Sequence, residues 1–208
     1  MNNTKVVENN YVVKSVVSTD LFDKIAKHFN AKVKTCLTGC KNIVKLKNED
    51  KDNFLFGFEE SLGYVFNIDV NDKDAFSSTI FFIEILSYLK SKNMSLLDYI
   101  NEIYEKFGYY YSKQISFEFN NKEDMDKLMA RLRDKNIFKE KEKIDYLNKK
   151  DLKTNLLKFV MDDNSYFMVR PSGTEPKIKL YFYANDNDEN KATERLNNII
   201  DIVLEKIK

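Results

Sequence analysis

The sequence predicts an α/β domain over residues 1–113 and, after it, an α+β domain over residues 114–208, an antiparallel sheet with helices on one face. Three features of the chain predict this. Up to about Gly108, β-branched apolar runs alternate with stretches of helical period, the pattern of an α/β unit. From Gln114 onward, five strand-like stretches share only two helices. Between them lies Tyr109-Tyr110-Tyr111-Ser112, where the pattern changes. A length of 208 residues suits one large or two small domains.

Residues 1–10 are polar and expected to be loose. Tyr11 to Val17 is a β-branched run of buried-strand character. Ser18 or Thr19 then caps a helix to about Phe29, with Leu21, Phe22, Ile25 and Phe29 on one face. Lys32 to Leu37 is a second short strand, and Thr38 to Ile43 a turn that opens at most a short helix. Phe54 to Phe56 is a third strand, running into a loop from Gly57 to Gly63. A long helix is predicted over Asp74 to Lys90, with Ile80, Phe82, Ile83, Leu86 and Leu89 as its core face. Ser95 and Asp98 have capping-box spacing ahead of Leu96, Ile100, Ile103 and Phe107, and Gly108 ends that helix.

Gln114 to Phe119 alternates apolar and polar residues as a half-exposed strand does. A helix over about Lys122 to Asp134 carries Met125, Leu128, Met129 and Leu132. Strands follow at Lys143–Tyr146, Leu156–Met161, Tyr166–Arg170 and Ile178–Ala184. The last helix, from about Asp188 to Ile207, turns Ala192, Leu196, Ile199, Ile200, Val203 and Ile207 inward.

Composition narrows the function classes. Hydrophobic residues at 43% and charged residues at 32% describe a globular chain. Basic and acidic residues number 34 and 33, a net charge of +1, so no broad electrostatic footprint for nucleic acid or membrane exists. Cys36 and Cys40 form a lone Cys-x3-Cys pair that no second pair or histidine cluster completes into a metal site. Both read as reduced, partly buried residues. His28 is the only histidine and falls near a helix C-terminus, where a cation is favoured. With no signal peptide and no membrane-length apolar run, a cytoplasmic location is the default expectation.

Two segments concentrate polar chemistry. Both prolines of the chain fall within Arg170-Pro171-Ser172-Gly173-Thr174-Glu175-Pro176, between two strand-like runs. Arg170 can give two parallel hydrogen bonds to phosphate oxygens. Ser172 and Thr174 add hydroxyl donors, and Gly173 lets its N–H approach an anion closely and tolerates positive φ. On residue types alone a plain hairpin turn accounts for the segment equally well. The second segment is Phe56-Gly57-Phe58-Glu59-Glu60-Ser61-Leu62-Gly63, with two carboxylates and a hydroxyl between glycines. Carboxylates accept hydrogen bonds from sugar hydroxyls, though a solvated acidic loop reads the same way.

The wording of both segments resembles one family. Arg-Pro-Ser-Gly-Thr-Glu-Pro-Lys-Ile-Lys-Leu-Tyr is similar to the phosphate-binding loop in the fourth domain of the α-D-phosphohexomutases, the phosphoglucomutases and phosphomannomutases. Gly57 to Gly63 resembles their Gly-Glu-Glu-Ser-Gly sugar loop of the third domain. The Gly-Phe-Glu-Glu-Ser form and Asp72-Lys73-Asp74 look most like the phosphoglucomutase and phosphopentomutase branch. Asp72-Lys73-Asp74-Ala75 resembles a Lys-Asp-Gly segment, with alanine in place of its glycine. Thr35 to Lys41 looks like the Thr-x-Thr-Gly-Phe-Lys turn, with Cys40 in place of the aromatic residue. The resemblance covers the chain from about Val12 to its end, so residues 1–113 are expected to be domain 3 short of its first elements, and residues 114–208 all of domain 4.

The resemblance implies a division of labour. Arg170, Ser172, Gly173 and Thr174 would hold a phosphate, Glu59 and Ser61 would orient a sugar ring, and Lys73 and Lys41 are further contact candidates. The family interconverts sugar 1-phosphates with 6-phosphates or 5-phosphates through a phosphoserine and a bisphosphate intermediate, with Mg²⁺. The Thr-Ala-Ser-His-Asn-Pro loop of the catalytic serine is absent from this chain. So is the Asp-x-Asp-x-Asp-Arg metal loop, since Asp69-Val70-Asn71-Asp72 lacks the third acid and the arginine. The chain is therefore expected to be an inactive C-terminal part of such an isomerase, binding a phosphosugar and a sugar bisphosphate, with Mg²⁺ held elsewhere. The alternative is a non-catalytic sugar-phosphate binding or regulatory module, separated from the first reading by whether a phosphoserine loop lies upstream in the complete reading frame.

Overall fold

A computed structural model describes residues 7, 9–134 and 136–207. The expected loose start over residues 1–10 lies largely outside the described residues. The chain divides into two compact units, residues 1–107 and residues 108–208.

The first unit is β1 (Tyr11–Ser15), α1 (Leu21–His28), β2 (Lys32–Cys36), α2 (Cys40–Glu49), β3 (Phe54–Glu59), β4 (Gly63–Val65), α3 (Ala75–Ser91) and α4 (Leu96–Phe107). The sheet order is β2-β1-β3-β4. β1 runs parallel to β2 and β3, and β4 closes antiparallel on β3. α2 covers one face, where Ile43 joins Tyr11, Val13, Cys36, Phe54 and Val65 in a buried cluster. Gly57 lets that helix come close: a Cβ there would lie 2.4 Å from Cγ2 of Ile43. On the other face Phe22 of α1 meets Phe56 and Phe58 edge-on, with ring centroids 5.3 and 4.8 Å apart.

Local chemistry sets the helix starts. The Thr19 hydroxyl accepts from Leu21 N–H. Asp74 accepts from Phe76 and Ser77 N–H. Ser95 and Asp98 form the expected reciprocal box: Ser95 Oγ accepts from Asp98 N–H, and Asp98 Oδ2 accepts from Ser95 N–H.

Several elements differ from the sequence reading. α2 spans ten residues instead of a turn with a short helix. β3 continues through Gly57 to Glu59 because its pairing with β1 carries it past a weak strand former. β4 was not expected. Phe29 is exposed, because α1 ends at His28. Of the residues assigned to the core face of α3, Leu89 alone is buried, while Ile80, Phe82, Ile83 and Leu86 are exposed. That helix is apolar on every side, so its sequence does not select a face.

The second unit is β5 (Tyr109–Glu118), α5 (Lys122–Asp134), β6 (Glu142–Asp145), β7 (Leu157–Val160), β8 (Tyr166–Pro171), β9 (Lys177–Asp186) and α6 (Glu189–Ile207). The sheet runs β5-β9-β8-β7-β6, antiparallel throughout. Alternate residues of three strands (Leu157 and Phe159, Phe167 and Val169, Ile178, Leu180 and Phe182) meet Met125, Leu128, Met129 and Leu132 of α5 and Ile199, Ile200 and Val203 of α6 in one core. β5 pairs with β9 along its whole length, from Tyr109 opposite Asp186 to Glu118 opposite Lys177. Residue 113, where the sequence placed a domain boundary, lies inside that strand. Among the described residues no helix is long and apolar enough to cross a membrane.

Candidate functional site

The first candidate site gathers at the carboxyl ends of the parallel strands, a position that open α/β sheets commonly use for ligands. β3 ends at Glu59, β1 at Ser15, and the turn after β2 leads to Gly39. Glu59 is buried. Its Oε1 accepts from Ser61 Oγ at 2.9 Å and pairs with Lys73 Nζ at 2.5 Å. Its Oε2 accepts from Gly39 N–H at 2.9 Å. Lys73 Nζ also donates to Ser61 Oγ at 3.2 Å. Three of the four residues proposed for this region therefore form one connected cluster. Lys41 is exposed in the first turn of α2, two residues beyond Gly39.

Glycine shapes this cluster directly. A Cβ at Gly63 would lie 2.5 Å from Lys73 Cε and 3.0 Å from Glu59 Oε1. Any larger residue displaces the ion pair. Gly39 adopts φ +110, which turns its N–H onto Glu59. Leu62, fully exposed at the loop tip, also has positive φ, at 55°.

Electrostatics hold Glu59 ionised. Burial works against its charge, but hydrogen bonds from Lys73, Ser61 and Gly39 outweigh burial and lower its pKa. The hydrogen bond to Glu59 raises the Lys73 pKa in turn. Burial first, then the nearby Glu59 and Glu60, pushes the Cys36 thiol up to about 12, so it is a neutral wall of the site. Both cysteines are free.

Sequence reasoning did not single out the support beneath the loop. Glu60 Oε2 accepts from the buried Ser15 Oγ at 2.8 Å, and Ser18 Oγ donates to Ser15 Oγ. This ties the loop to the end of β1. Glu60 Oε1 is buried without a partner among the described residues. Lys47 of α2 is fully buried and donates to the carbonyls of Val70 at 2.7 Å and Asn67 at 3.4 Å, fixing the segment before Lys73. No local pattern marks a lysine on an amphipathic helix as this anchor.

The second candidate site is the β8–β9 turn. Ser172 N–H donates to Lys177 O at 2.7 Å and closes it. Ser172 Oγ accepts from the N–H groups of Thr174 and Glu175 at 3.4 and 3.3 Å. Gly173 and Thr174 are exposed at the tip. Gly173 does not use the positive φ that glycine tolerates, and a Cβ there would meet nothing within 4 Å. Neither the backbone nor a neighbour in the free chain requires glycine at that position.

Arg170 lies at the base of the turn, half-buried, with no hydrogen bond or ion pair among the described residues. Its register partner is Lys179 of β9. Directly opposed residues project from the same side of a sheet. Here that side is the one facing away from α5 and α6, since Val169 and Leu180 point into the helix-covered core. Lys179 was missed because alternation within β9 marks only its exposed face, not its partner across the ladder.

Both units match models of one protein family. Residues 1–107 match the family model "Phosphoglucomutase/phosphomannomutase, alpha/beta/alpha domain III", and residues 117–197 match "Phosphoglucomutase/phosphomannomutase, C-terminal domain". A probable phosphomannomutase of Haemophilus influenzae is 37% identical over 184 residues, covering 86% of this chain and 37% of the relative. A phosphoglucomutase of Staphylococcus saprophyticus is 30% identical over 220 residues, covering 91% of this chain and 40% of the relative. Among solved structures, the open form of the Paramecium phosphoglucomutase pp63/parafusin superposes with a TM-score of 0.70 at 22% identity, covering 94% of this chain and 37% of that one. The chain thus spans about two fifths of the length of the relatives it matches. With domain III and the C-terminal domain in order along one chain, it belongs to the phosphoglucomutase/phosphomannomutase family.

Proposed function

We propose that this chain is the sugar- and phosphate-binding part of a phosphohexomutase, and that its two loops divide the substrate between them. The β8–β9 turn takes a phosphate. Arg170 supplies a planar fork of donors, Lys179 a second cation, and Ser172, Gly173 and Thr174 short-range donors. The observation that carries this assignment is Arg170 itself: a cation beside another cation, with no counter-ion among the described residues. An anion would relieve that repulsion.

The Glu59 loop takes the sugar ring. With Oε1 and Oε2 already oriented by Lys73, Ser61 and Gly39, the carboxylate presents its remaining lone pairs in a fixed direction, and Ser61 can donate and accept. Lys73 and Lys41 add positive charge beside the ring. Binding free energy from the non-reacting phosphate and the ring hydroxyls can then be used at a reacting centre elsewhere in a complete enzyme.

No step of phosphoryl transfer is assigned to these residues. Among the described residues no three acidic, cysteine or histidine side chains converge to hold a metal ion, so the residues present do not fit Mg²⁺. The phosphoserine and its loop have no counterpart in the sequence. The chain alone is expected to show no mutase turnover with glucose 1-phosphate, Mg²⁺ and catalytic glucose 1,6-bisphosphate. It is nevertheless expected to bind inorganic phosphate at the β8–β9 turn. Amide NMR titration reads this directly: Gly173 and Thr174 should shift on adding phosphate, and much less in Arg170→Ala. Equal shifts in the two proteins would leave the segment a turn and nothing more.

A further inference from the structure

The turn that joins β3 to β4 places a leucine where the backbone favours glycine or asparagine. Glu59 pairs with Gly63, so Glu60, Ser61 and Leu62 form a three-residue hairpin loop. The third residue of such a loop adopts the left-handed conformation, and Leu62 does so at φ 55°. Glycine enters that region freely and asparagine with little cost, whereas other residues are disfavoured there. Asparagine occupies three of the other left-handed positions, Asn30, Asn93 and Asn164. Among the described residues Leu62 is the one apolar side chain so placed. It is also 82% exposed, so packing within the unit does not account for the strain. An exposed leucine is ordinary by itself; an exposed leucine held in this conformation points to use by a ligand.

Its neighbours indicate what would cover it. Ser61, directly before it, donates to Glu59 Oε1 and accepts from Lys73 Nζ. Such groups bind hydroxyls at the edge of a ring. A pyranose carries hydroxyls around its edge and C–H groups on its faces, so it suits a carboxylate, a hydroxyl and an adjacent leucine together. The base of the loop is fixed. Gly39 N–H holds Glu59, and at Gly63 even a Cβ would press on Lys73 and Glu59. Leu62 is therefore presented before a ligand arrives, which lowers the ordering cost of binding.

We infer that Leu62 is a specificity-determining residue: it packs on a C–H face of the sugar ring whose hydroxyls Glu59 and Ser61 hold, and so selects a closed ring over an open-chain polyol. This rests on the reading of the Glu59 loop as the sugar site.

Amide NMR titration of the whole chain with methyl α-D-glucopyranoside and with sorbitol tests this, since neither carries a phosphate for the β8–β9 turn. Wild type should bind the glucoside more tightly than sorbitol, with shifts at Ser61 and Gly63. Leu62→Gly should weaken glucoside binding about fivefold, the effect of uncovering roughly half of a leucine side chain, and leave sorbitol binding unchanged. It should hold or raise the urea midpoint, because relief of left-handed strain offsets the freedom that glycine adds to the unfolded chain. Leu62→Asn, which suits the left-handed turn, should also lose the preference for the glucoside, and Leu62→Met should keep it. The Gly39 amide resonance, which reports the bond to Glu59, should be the same in all four ligand-free proteins. Glucoside binding that is unchanged in Leu62→Gly and Leu62→Asn overturns the role of Leu62 and leaves the sugar site standing. No shift at Ser61 or Gly63 in wild type overturns the sugar reading and this inference with it. A lower urea midpoint together with a displaced Gly39 resonance assigns Leu62 to holding the loop, which overturns the inference as well.

Discussion

Arg170 of β8 and Lys179 of β9 are direct partners across an antiparallel ladder, so two cations project from the same side of the sheet. Like charges in that position destabilise a sheet by up to about 1 kcal/mol. The arrangement costs stability in the free chain and becomes favourable once an anion lies between them. Lys179→Glu should therefore raise stability by up to about 1 kcal/mol while weakening phosphate binding. Urea unfolding and phosphate titration of the same protein read the two effects. A loss of both together would assign Lys179 a packing role.

Phosphate should stabilise the wild-type chain by mass action. At ten times its dissociation constant the gain is about 1.4 kcal/mol. Arg170→Ala should lose most of that gain and keep its phosphate-free stability, since the Arg170 side chain has no hydrogen bond or ion pair among the described residues. Arg170→Lys should recover only part, because an ammonium cannot reproduce the two-pronged donor. Thermal melts with and without phosphate, at constant ionic strength, provide the check.

Gly57→Ala should destabilise the first unit by about 1–3 kcal/mol through overpacking. The new methyl would lie 2.4 Å from Ile43 Cγ2 and 3.3 Å from the Val13 carbonyl oxygen, and the backbone cannot retreat without breaking the β1–β3 pairing. Ile43→Ala, which removes Cγ2, should cost less in Gly57→Ala than in the wild type, since the two sites are in contact. Additive costs would place the strain elsewhere.

Glu59 makes a pH-dependent contribution of known sign. Its folded-state pKa is lowered, so it favours folding above the unfolded carboxyl value of about 4.3, and that contribution is lost as pH falls through the folded value. Unfolding free energies measured from pH 7 down to strong acid should fall more steeply for wild type than for Glu59→Gln below about pH 4.3. Parallel curves would show that the Lys73, Ser61 and Gly39 contacts do not favour the charged form.

Residues 108–208 should fold as an independent unit, with one core shared by α5, α6 and the five-stranded sheet. A chain beginning at residue 114 removes the β5 partners of Phe182 to Asp186. It should melt at a lower temperature, with that end of β9 losing amide protection first. Equal melting temperatures would mean that the Tyr109–Lys113 pairing adds nothing.

The amino-acid sequence alone determined most of the second unit. α5 is legible because Met125, Leu128, Met129 and Leu132 repeat at helical spacing on one face, and β7 to β9 because alternation separates core positions from exposed ones. It also determined which residues to suspect, since the Glu59 segment concentrates acceptors between two glycines and the Arg170 segment concentrates donors around the chain's two prolines. What the sequence left open had a common physical cause. Helix-face prediction needs contrast between faces, and α3 has none. Strand ends depend on partners, so the tyrosine run became the start of β5 only through its pairing with β9. The distribution of charge also required tertiary structure: the Glu59–Lys73 pair joins residues fourteen positions apart, and Arg170 meets Lys179 only across a ladder. Spacing along the chain gives the residue types of a site, while its electrostatics follow from which groups the fold brings within a few ångströms.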